Sequence, residues 1–153
     1  MLDNLKKYHI ILASNSPRRR ELLAGLDIDY RVTALPEVNE SYPDTLSGEE
    51  IPLYISQEKA AAYRRFMKDN TLLITADTIV WLDGKVSGKP RDIADAKAML
   101  QALSGKTHTV ITGVTLTSLQ KQISFAVSTE VTFAALGDDE IDYYVETYRP
   151  LDK

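Results

Sequence analysis

The stretch YHIILASNSPRRRELLAGL, residues 8–26, decides the fold. Residues 8–13 form a continuous apolar run, which is typical of a buried strand. Polar residues end this run, and Pro17 then favours the first turn of a helix for which Ser16 is a good N-cap. This helix is expected to have an apolar face formed by Leu22, Leu23 and Leu26. The stretch therefore predicts a buried strand that leads directly into a helix.

Strand and helix patterns alternate along the rest of the chain. Residues 29–34 and 71–80 predict strands, and a turn is expected at Asp83-Gly84. Ser47 and Glu50 have the spacing of a capping box, which predicts a helix to about residue 67. Three further elements are expected: a helix from Asp92 to Leu103, a hairpin of residues 107–119 and 123–133, and a last helix that begins at residues 138–140. This order predicts a mixed α/β fold in one domain over residues 1–153.

Composition restricts the chemistry that the chain can perform. The 153 residues are 44% hydrophobic and 26% charged, which is ordinary for a globular domain. The absence of cysteine excludes disulfides and thiolate metal sites. His9 and His108 are the two histidines, so a histidine-rich zinc site is not expected. Any metal should therefore be a hard cation with oxygen ligands, such as Mg²⁺ or Mn²⁺.

Charge and hydropathy also limit the partners. The net charge of −4 argues against a broad nucleic-acid-binding surface, although residues 18–20 form a basic cluster that could dock on nucleic acid. No apolar run approaches the roughly 20 residues that span a bilayer. The apolar stretch near the start is shorter than the core of a signal peptide. We therefore expect a cytosolic protein without membrane or nucleic-acid partners.

The turn LASNSPRR, residues 12–19, is the first candidate for chemistry. A helix N-terminus presents unpaired N–H groups and the positive end of the helix dipole, so it attracts phosphate. Ser14, Arg18 and Arg19 add a hydroxyl and fixed positive charge at the same place. Because Ser-Pro helix starts are common, a capped helix with solvated arginines is an equally good interpretation at this point.

Asp77 lies in the apolar pattern TLLITADTIV, residues 71–80. A carboxylate between Ile74 and Ile79 is costly to bury unless it binds a partner or a metal. A position at a turn or a strand end is the commoner explanation for a single aspartate, and it stays open here.

Three further groups are weaker signals. Lys89 lies between Gly88 and Pro90 and could neutralise phosphate charge, although the segment is also simply a loop. Glu40 belongs to an acidic loop, for which solvent exposure is the default expectation. His108 could contact a ligand, but a single histidine on a strand is more often structural. Together these groups supply the cations, hydroxyls and carboxylates that bind a metal–polyphosphate.

Six segments resemble the Maf family in its order and approximate spacing. They are LASNSPRRRELL (12–23), SQEKAAA (56–62), TADTIV (75–80), SGKPRD (87–92), AMLQALSGKTHTVITGV (98–114) and YRPLDK (148–153). The resemblance implies a cytosolic nucleoside triphosphate pyrophosphatase of two-lobed, inosine-triphosphatase-like α/β fold. Such enzymes release a nucleoside monophosphate and pyrophosphate, depend on a divalent cation and are often dimeric. A nucleoside triphosphate substrate, Mg²⁺ or Mn²⁺, and a homodimer are therefore expected.

The same resemblance implies roles for individual residues. Three match the signature that binds the triphosphate, namely Ser14, Arg18 and Arg19. Lys59 and Lys89 match two lysines that neutralise phosphate charge, and Glu40 matches a glutamate that helps to hold the metal. Asp77 matches the aspartate that activates water or ligates the metal, and it is the main catalytic candidate. His108 is expected to contact the substrate, as part of a pattern at residues 104–114 that resembles the branch acting on dTTP and UTP.

The chain departs from the family in two respects. Asn39 stands where the family commonly has a second acid. The family also continues for a few tens of residues past the position of Lys153, so we expect this chain to be shortened at its C-terminal end. An alternative function follows, in which the chain binds nucleotides as a regulator linked to septum formation and does not turn them over. A phosphatase that removes only the terminal phosphate is the alternative within the enzyme class.

Overall fold

The computed structural model describes residues 8–14, 16–26, 29–33, 41–87 and 90–148. Their strands are β1 (His9–Ala13), β2 (Arg31–Thr33), β3 (Thr71–Leu82), β4 (Lys85–Ser87), β5 (Thr107–Thr117) and β6 (Gln122–Thr132). Their helices are α1 (Pro17–Ala24), α2 (Glu50–Tyr63), α3 (Ile93–Leu103) and α4 (Asp138–Tyr148). A 3₁₀ turn, Arg64–Phe66, follows α2, so the α-helix ends earlier than residue 67. Within these described ranges no helix is long and apolar enough to span a membrane.

The described strands form one mixed sheet. Their order is β2-β1-β3-β5-β6, and β4 pairs with β3. Strand β1 runs parallel to both of its neighbours, and Leu12 lies opposite Val32 on one side and Ile74 on the other. Strand β4 runs antiparallel to β3. A strand between two parallel neighbours is usually buried on both faces, which explains the continuous apolar sequence of β1.

Local signals fixed most element boundaries as predicted. Ser16 caps α1 by accepting a hydrogen bond from the Arg19 N–H, and Asp92 caps α3 by accepting one from the Asp95 N–H. The turn at Asp83 and Gly84 has positive φ at both residues, 52° and 77°, as in the tight turns that join paired strands. These features confirm the predicted caps of α1 and α3 and the predicted turn. The predicted capping box is only half formed, because Glu50 accepts a hydrogen bond from the Ser47 N–H, but the N-cap of α2 is Glu49 and makes no side-chain cap bond.

The prediction that α1 has an apolar face is wrong. Leu22 is 74% exposed and Leu26 is 52% exposed, and α1 contains no fully buried residue. The helix has only 8 residues and its C-cap is Gly25, so Leu26 lies beyond its end. Three successive arginines occupy its first turns, which leaves too few apolar positions for a continuous stripe.

Contacts divide the chain into two compact units. Unit 1 comprises Met1–Asp77 and Thr112–Val127, and unit 2 comprises Thr78–Ile111 and Ser128–Lys153. In unit 1, a core cluster of Ile11, Ala13, Ala60 and Leu73 packs against Tyr63 and Met67. Complete burial of an aliphatic side chain such as Leu73 contributes about 1.5–3 kcal/mol.

Helix α2 presents one stripe of residues to the interior of unit 1. The buried positions are Ile51, Pro52, Ile55, Ser56, Lys59 and Ala60. Their spacing is that of one face of an α-helix. A lysine and a serine therefore lie on the same face as the isoleucines that anchor the helix.

Unit 2 contains its own core between α3 and α4. Ala96, Ile141 and Val145 are buried there, together with partly buried residues that include Leu100. At the surface of this pair of helices, the Lys97 ammonium lies 3.1 Å from Asp142 and 3.5 Å from Glu146. The hydrogen bond to Asp142 raises the pKa of Lys97, and both carboxylates add to this effect through their charge, while desolvation opposes it.

Candidate active site

The turn between β1 and α1 gathers polar groups around a buried hydroxyl. Ser14 is 4% exposed, and its Oγ accepts hydrogen bonds from the Ser16 N–H at 3.1 Å and from Arg19 Nη1 at 3.4 Å. The Ser14 N–H donates to the Thr33 carbonyl, which holds the end of β1 against the end of β2. The start of α1 is therefore fixed so that a guanidinium lies over the carboxyl end of β1.

Asp77 is buried within a strand. It is 9% exposed and lies well inside β3, so the alternative of a turn or strand-end carboxylate is wrong. Its Oδ1 lies 3.4 Å from the Nζ of Lys59, which is also 9% exposed. Burial of a carboxylate in such a place is stabilised when a cation pairs with it. The lysine reaches the strand because it lies on the buried stripe of α2.

Two cations converge on one carbonyl beside this carboxylate. Both Arg19 Nη1 and Lys59 Nζ donate to the Ala76 carbonyl oxygen, each at 3.1 Å. One carbonyl oxygen has two lone pairs and can accept both bonds. The cluster of Arg19, Lys59 and Asp77 has two positive charges and one negative charge. Its excess positive charge suits it to an anionic ligand, and its carboxylate is placed to accept a proton.

The structure brings together four of the predicted site residues, all in unit 1: Ser14, Arg19, Lys59 and Asp77. Arg18 lies on the exposed side of α1. Its predicted contact with a ligand stays a prediction.

His108 belongs to unit 2, where it is 5% exposed. Its ring packs edge-on against Phe133, with 5.0 Å between the ring centres. Its predicted role as a substrate-binding residue stays a prediction. Glu40 and Lys89 lie outside the described residues, and so does Asn39.

Four hydroxyl residues in unit 1 were not identified from the sequence as a group. Ser56, Thr75 and Thr115 are completely buried, and Ser124 is half-buried beside Thr115. A signal was present, because Ser56 and Lys59 fall on the helical stripe defined by Ile51 and Ile55. A lysine on the apolar stripe of a helix is unusual and points to a buried partner.

The described side chains fit an oxygen-ligated cation only if a bound ligand, such as a polyphosphate, supplies further oxygen atoms. Within the described ranges, no group of three or more acidic or histidine side chains could hold a metal by itself. Asp77 is the carboxylate of the cluster. Magnesium commonly binds to one or two carboxylates and to substrate phosphates, so a single described carboxylate is compatible with that mode.

Unit 2 contains an open apolar pocket of about 750 Å³. Its lining includes Leu100, Phe133, Tyr143, Tyr144 and Tyr148. None of the predicted site residues that the structure describes lines this pocket, and apolar walls do not suit a triphosphate.

Comparison with known proteins identifies relatives over the whole chain. Residues 9–153 match the family model described as Maf-like protein. A protein named dTTP/UTP pyrophosphatase from Phocaeicola vulgatus is 65% identical over 153 residues, which is 100% of this chain and 79% of that protein. A protein of the same name from Bacteroides fragilis is 61% identical, with coverage of 100% and 79%. Another from Porphyromonas gingivalis is 55% identical, with coverage of 100% and 78%.

Solved structures resemble the fold at low sequence identity. The Ham1 protein of Staphylococcus aureus aligns with a TM-score of 0.55 and 17% identity over 80% of this chain and 70% of that one. A HAM1 protein from Coxiella burnetii aligns with a TM-score of 0.54 and 14% identity over 80% and 71%. These likenesses confirm the predicted α/β fold, with a mixed sheet flanked by helices.

Proposed function

The chain belongs to the Maf-like protein family, and from that premise we propose that it hydrolyses dTTP and UTP to the nucleoside monophosphate and pyrophosphate. The observation that carries the proposal is the convergence of Arg19 and Lys59 on the Ala76 carbonyl, beside the buried carboxylate of Asp77. The relatives named dTTP/UTP pyrophosphatase supply the substrate class.

The cations and the helix start are assigned to the triphosphate. Ser14 and Arg19 lie at the N-terminus of α1, where unpaired N–H groups and the helix dipole favour anions. Lys59 donates to the same Ala76 carbonyl as Arg19 and is assigned to a phosphate oxygen. Arg18 and Lys89 are proposed to add charge at the same ligand, and His108 is proposed to contact the substrate. This arrangement favours the binding of a polyanion and offsets the negative charge that develops on the phosphates during the reaction.

Asp77 is assigned the role of general base. Its carboxylate accepts the proton of a water molecule that attacks the α-phosphorus. The bond from that phosphorus to the bridging oxygen of the β-phosphate breaks, and pyrophosphate leaves with the bonding electron pair. Lys59, whose Nζ lies 3.4 Å from the Asp77 Oδ1, is assigned to stabilise the leaving phosphates.

A divalent cation is proposed as a cofactor. Asp77 and Glu40 are the residues assigned to hold Mg²⁺ or Mn²⁺, which when bound would offset phosphate charge and orient the triphosphate. The charge of the cluster supports a metal ion, because two cations and one carboxylate offset only a small part of the negative charge of a bound triphosphate.

Product analysis tests the proposal. The chain is incubated with each common nucleoside triphosphate and with Mg²⁺ or Mn²⁺, and monophosphate plus pyrophosphate are resolved from diphosphate plus phosphate. Monophosphate and pyrophosphate, formed fastest from dTTP or UTP, are the expected result. Diphosphate and phosphate would identify a terminal phosphatase instead. Tight binding without any product would identify a nucleotide-binding regulator.

Other properties are proposed on the strength of the family resemblance. We infer that the chain acts as one domain, that two copies associate, and that it works in the cytoplasm. Light scattering in solution tests the association, since a homodimer has twice the mass of 17.1 kDa. A monomer at micromolar concentration would contradict it.

A further inference from the structure

A chain of buried hydroxyl groups attaches α2 to strands β5 and β6 in unit 1. The Ser56 Oγ lies 2.6 Å from the Thr115 Oγ1, and Thr115 lies 2.9 Å from the Ser124 Oγ. Ser56 also donates to the Leu53 carbonyl at 2.9 Å, and the Gln57 amide donates to Ser124 at 3.1 Å. Both ends of this chain are therefore on α2.

Each hydroxyl has one proton, which fixes the direction of these bonds. Because Ser56 donates its proton to the Leu53 carbonyl, Thr115 donates to Ser56 and Ser124 donates to Thr115. Thr115 is therefore the link that both accepts from β6 and donates to α2. Its side chain is completely buried, so water cannot replace it without a rearrangement.

A second contact ties α2 to the strand that carries Asp77. The Thr75 hydroxyl donates to the Ser56 backbone carbonyl at 2.7 Å, and Thr75 lies two residues before Asp77 on β3. Ser56 lies three residues before Lys59 on the buried stripe of α2. One turn of helix and one pleat of strand thus separate this contact from the pair of Lys59 and Asp77.

The backbone of α2 also approaches β5 closely at Gly113. A Cβ at that position would lie 2.5 Å from the Pro52 carbonyl carbon and 2.6 Å from the Leu53 nitrogen. Gly113 and Thr115 are both buried and stand two residues apart on β5, so they share one face of the strand. The glycine lets the helix come near, and the threonine holds it there.

We propose that Thr115 is a positioning residue that, through Ser56, sets the depth at which α2 holds Lys59 beside Asp77. The inference rests on the proposed function, because Lys59 is there assigned to the phosphates. Thr115 itself is joined to Ser56 by one hydrogen bond, Ser56 precedes Lys59 by one turn of α2, and Thr115 has no assigned contact with substrate. Because Lys59 is also assigned to stabilise the leaving phosphates, a small displacement of this lysine should appear in turnover more than in substrate affinity.

Three variants test this role. Thr115→Val keeps the shape of the side chain and removes the hydroxyl, while Ser56 can still donate to the Leu53 carbonyl. Thr115→Ser restores a hydroxyl at the same atom. Thr117→Val is the matched control, since Thr117 is 1% exposed on the same face of β5 but its hydroxyl accepts from Gln122 of β6.

Two readouts separate positioning from general stability. The first is kcat and KM for UTP with Mg²⁺: we expect Thr115→Val to lower kcat by about 10- to 100-fold with KM little changed. Thr115→Ser should recover most of that loss, and Thr117→Val should retain the wild-type kcat. Equal losses of kcat in both valine variants, or no recovery in Thr115→Ser, would overturn the proposal.

The second readout needs no turnover. Formaldehyde and a borohydride methylate accessible lysines, and mass spectrometry measures the rate at Lys59 in the absence of nucleotide. This rate reports how firmly α2 is held. Loss of one hydrogen bond should raise it by about 2- to 10-fold in Thr115→Val and leave it unchanged in Thr117→Val. If the wild-type chain makes no pyrophosphate, the proposed function fails, and this labelling comparison alone decides the positioning role. An unchanged rate in Thr115→Val would overturn it.

Discussion

Replacement of Gly113 by alanine tests how closely α2 must approach the sheet in unit 1. A methyl group at this position would lie 2.5 Å from the backbone of Pro52, whereas ordinary contacts begin at 3.4 Å. The first turn of α2 would therefore have to move by about 0.9 Å. Because the obstacle is backbone, no side-chain rotation can relieve it.

The Gly113→Ala variant is expected to lose both stability and activity, and the structure indicates the size of each loss. Overpacking of a close contact costs about 1–3 kcal/mol. For a chain of this length each kcal/mol lowers the melting temperature by about 2–4 °C, so a loss of roughly 4–8 °C is expected for about 2 kcal/mol. Lys59 moves with α2, and a misplacement of about 1 Å in a catalytic site can reduce turnover about 100-fold. Activity should thus fall far more than stability.

Thermal unfolding followed by circular dichroism and pyrophosphate release from UTP measure the two effects on the same samples. Gly25→Ala is the control, because φ at Gly25 is −67° and its nearest contact would be an ordinary 3.5 Å. This control should unfold within about 1 kcal/mol of the wild type and retain its turnover. A Gly113→Ala chain with normal melting temperature and normal kcat would refute the reasoning.

Three further outcomes are expected. Asp77→Asn should abolish hydrolysis while the chain stays folded, because an amide oxygen can still accept from Lys59; near-normal pyrophosphate release with an unchanged circular dichroism spectrum would remove Asp77 from the mechanism. Arg19→Ala should weaken the binding of UTP more than that of uridine in calorimetry, and equal losses for both ligands would argue against a phosphate-binding role. The raised pKa of Lys97 means that its pairing with Asp142 stabilises unit 2 fully below pH 10.5 and is lost as pH rises through the folded-state pKa. The difference in unfolding free energy between the wild type and Lys97→Met, measured in urea, should therefore shrink above that pH, and a constant difference would contradict this.

Several features of the protein were determined by its sequence alone. The caps at Ser16 and Asp92, the turn at Asp83 and Gly84, and the two strands of the hairpin all appear in the structure as predicted. Each depends on interactions within a few residues, such as a side chain that accepts from an N–H three positions ahead. Such interactions are present in the sequence itself, so they do not depend on how the elements later pack.

Resemblance to a family added roles for individual residues, which the local sequence patterns had left open. It singled out Lys59 and gave Asp77 a catalytic role, and the structure then placed their side chains 3.4 Å apart. It also named Glu40 and Lys89, which lie outside the described residues and stay predictions.

Only the tertiary structure decided which elements meet. Lys59 pairs with a carboxylate 18 positions away, and Ser56 bonds to a hydroxyl 59 positions away. Periodicity shows which face of a helix or strand is apolar, but it carries no information about the surface that will cover that face. Leu22 is exposed despite its apolar side chain, and Gly113 is required by a backbone that approaches from another element. Contacts between distant segments form only when the layers pack, and that packing is what turns a buried lysine and a buried aspartate into a site.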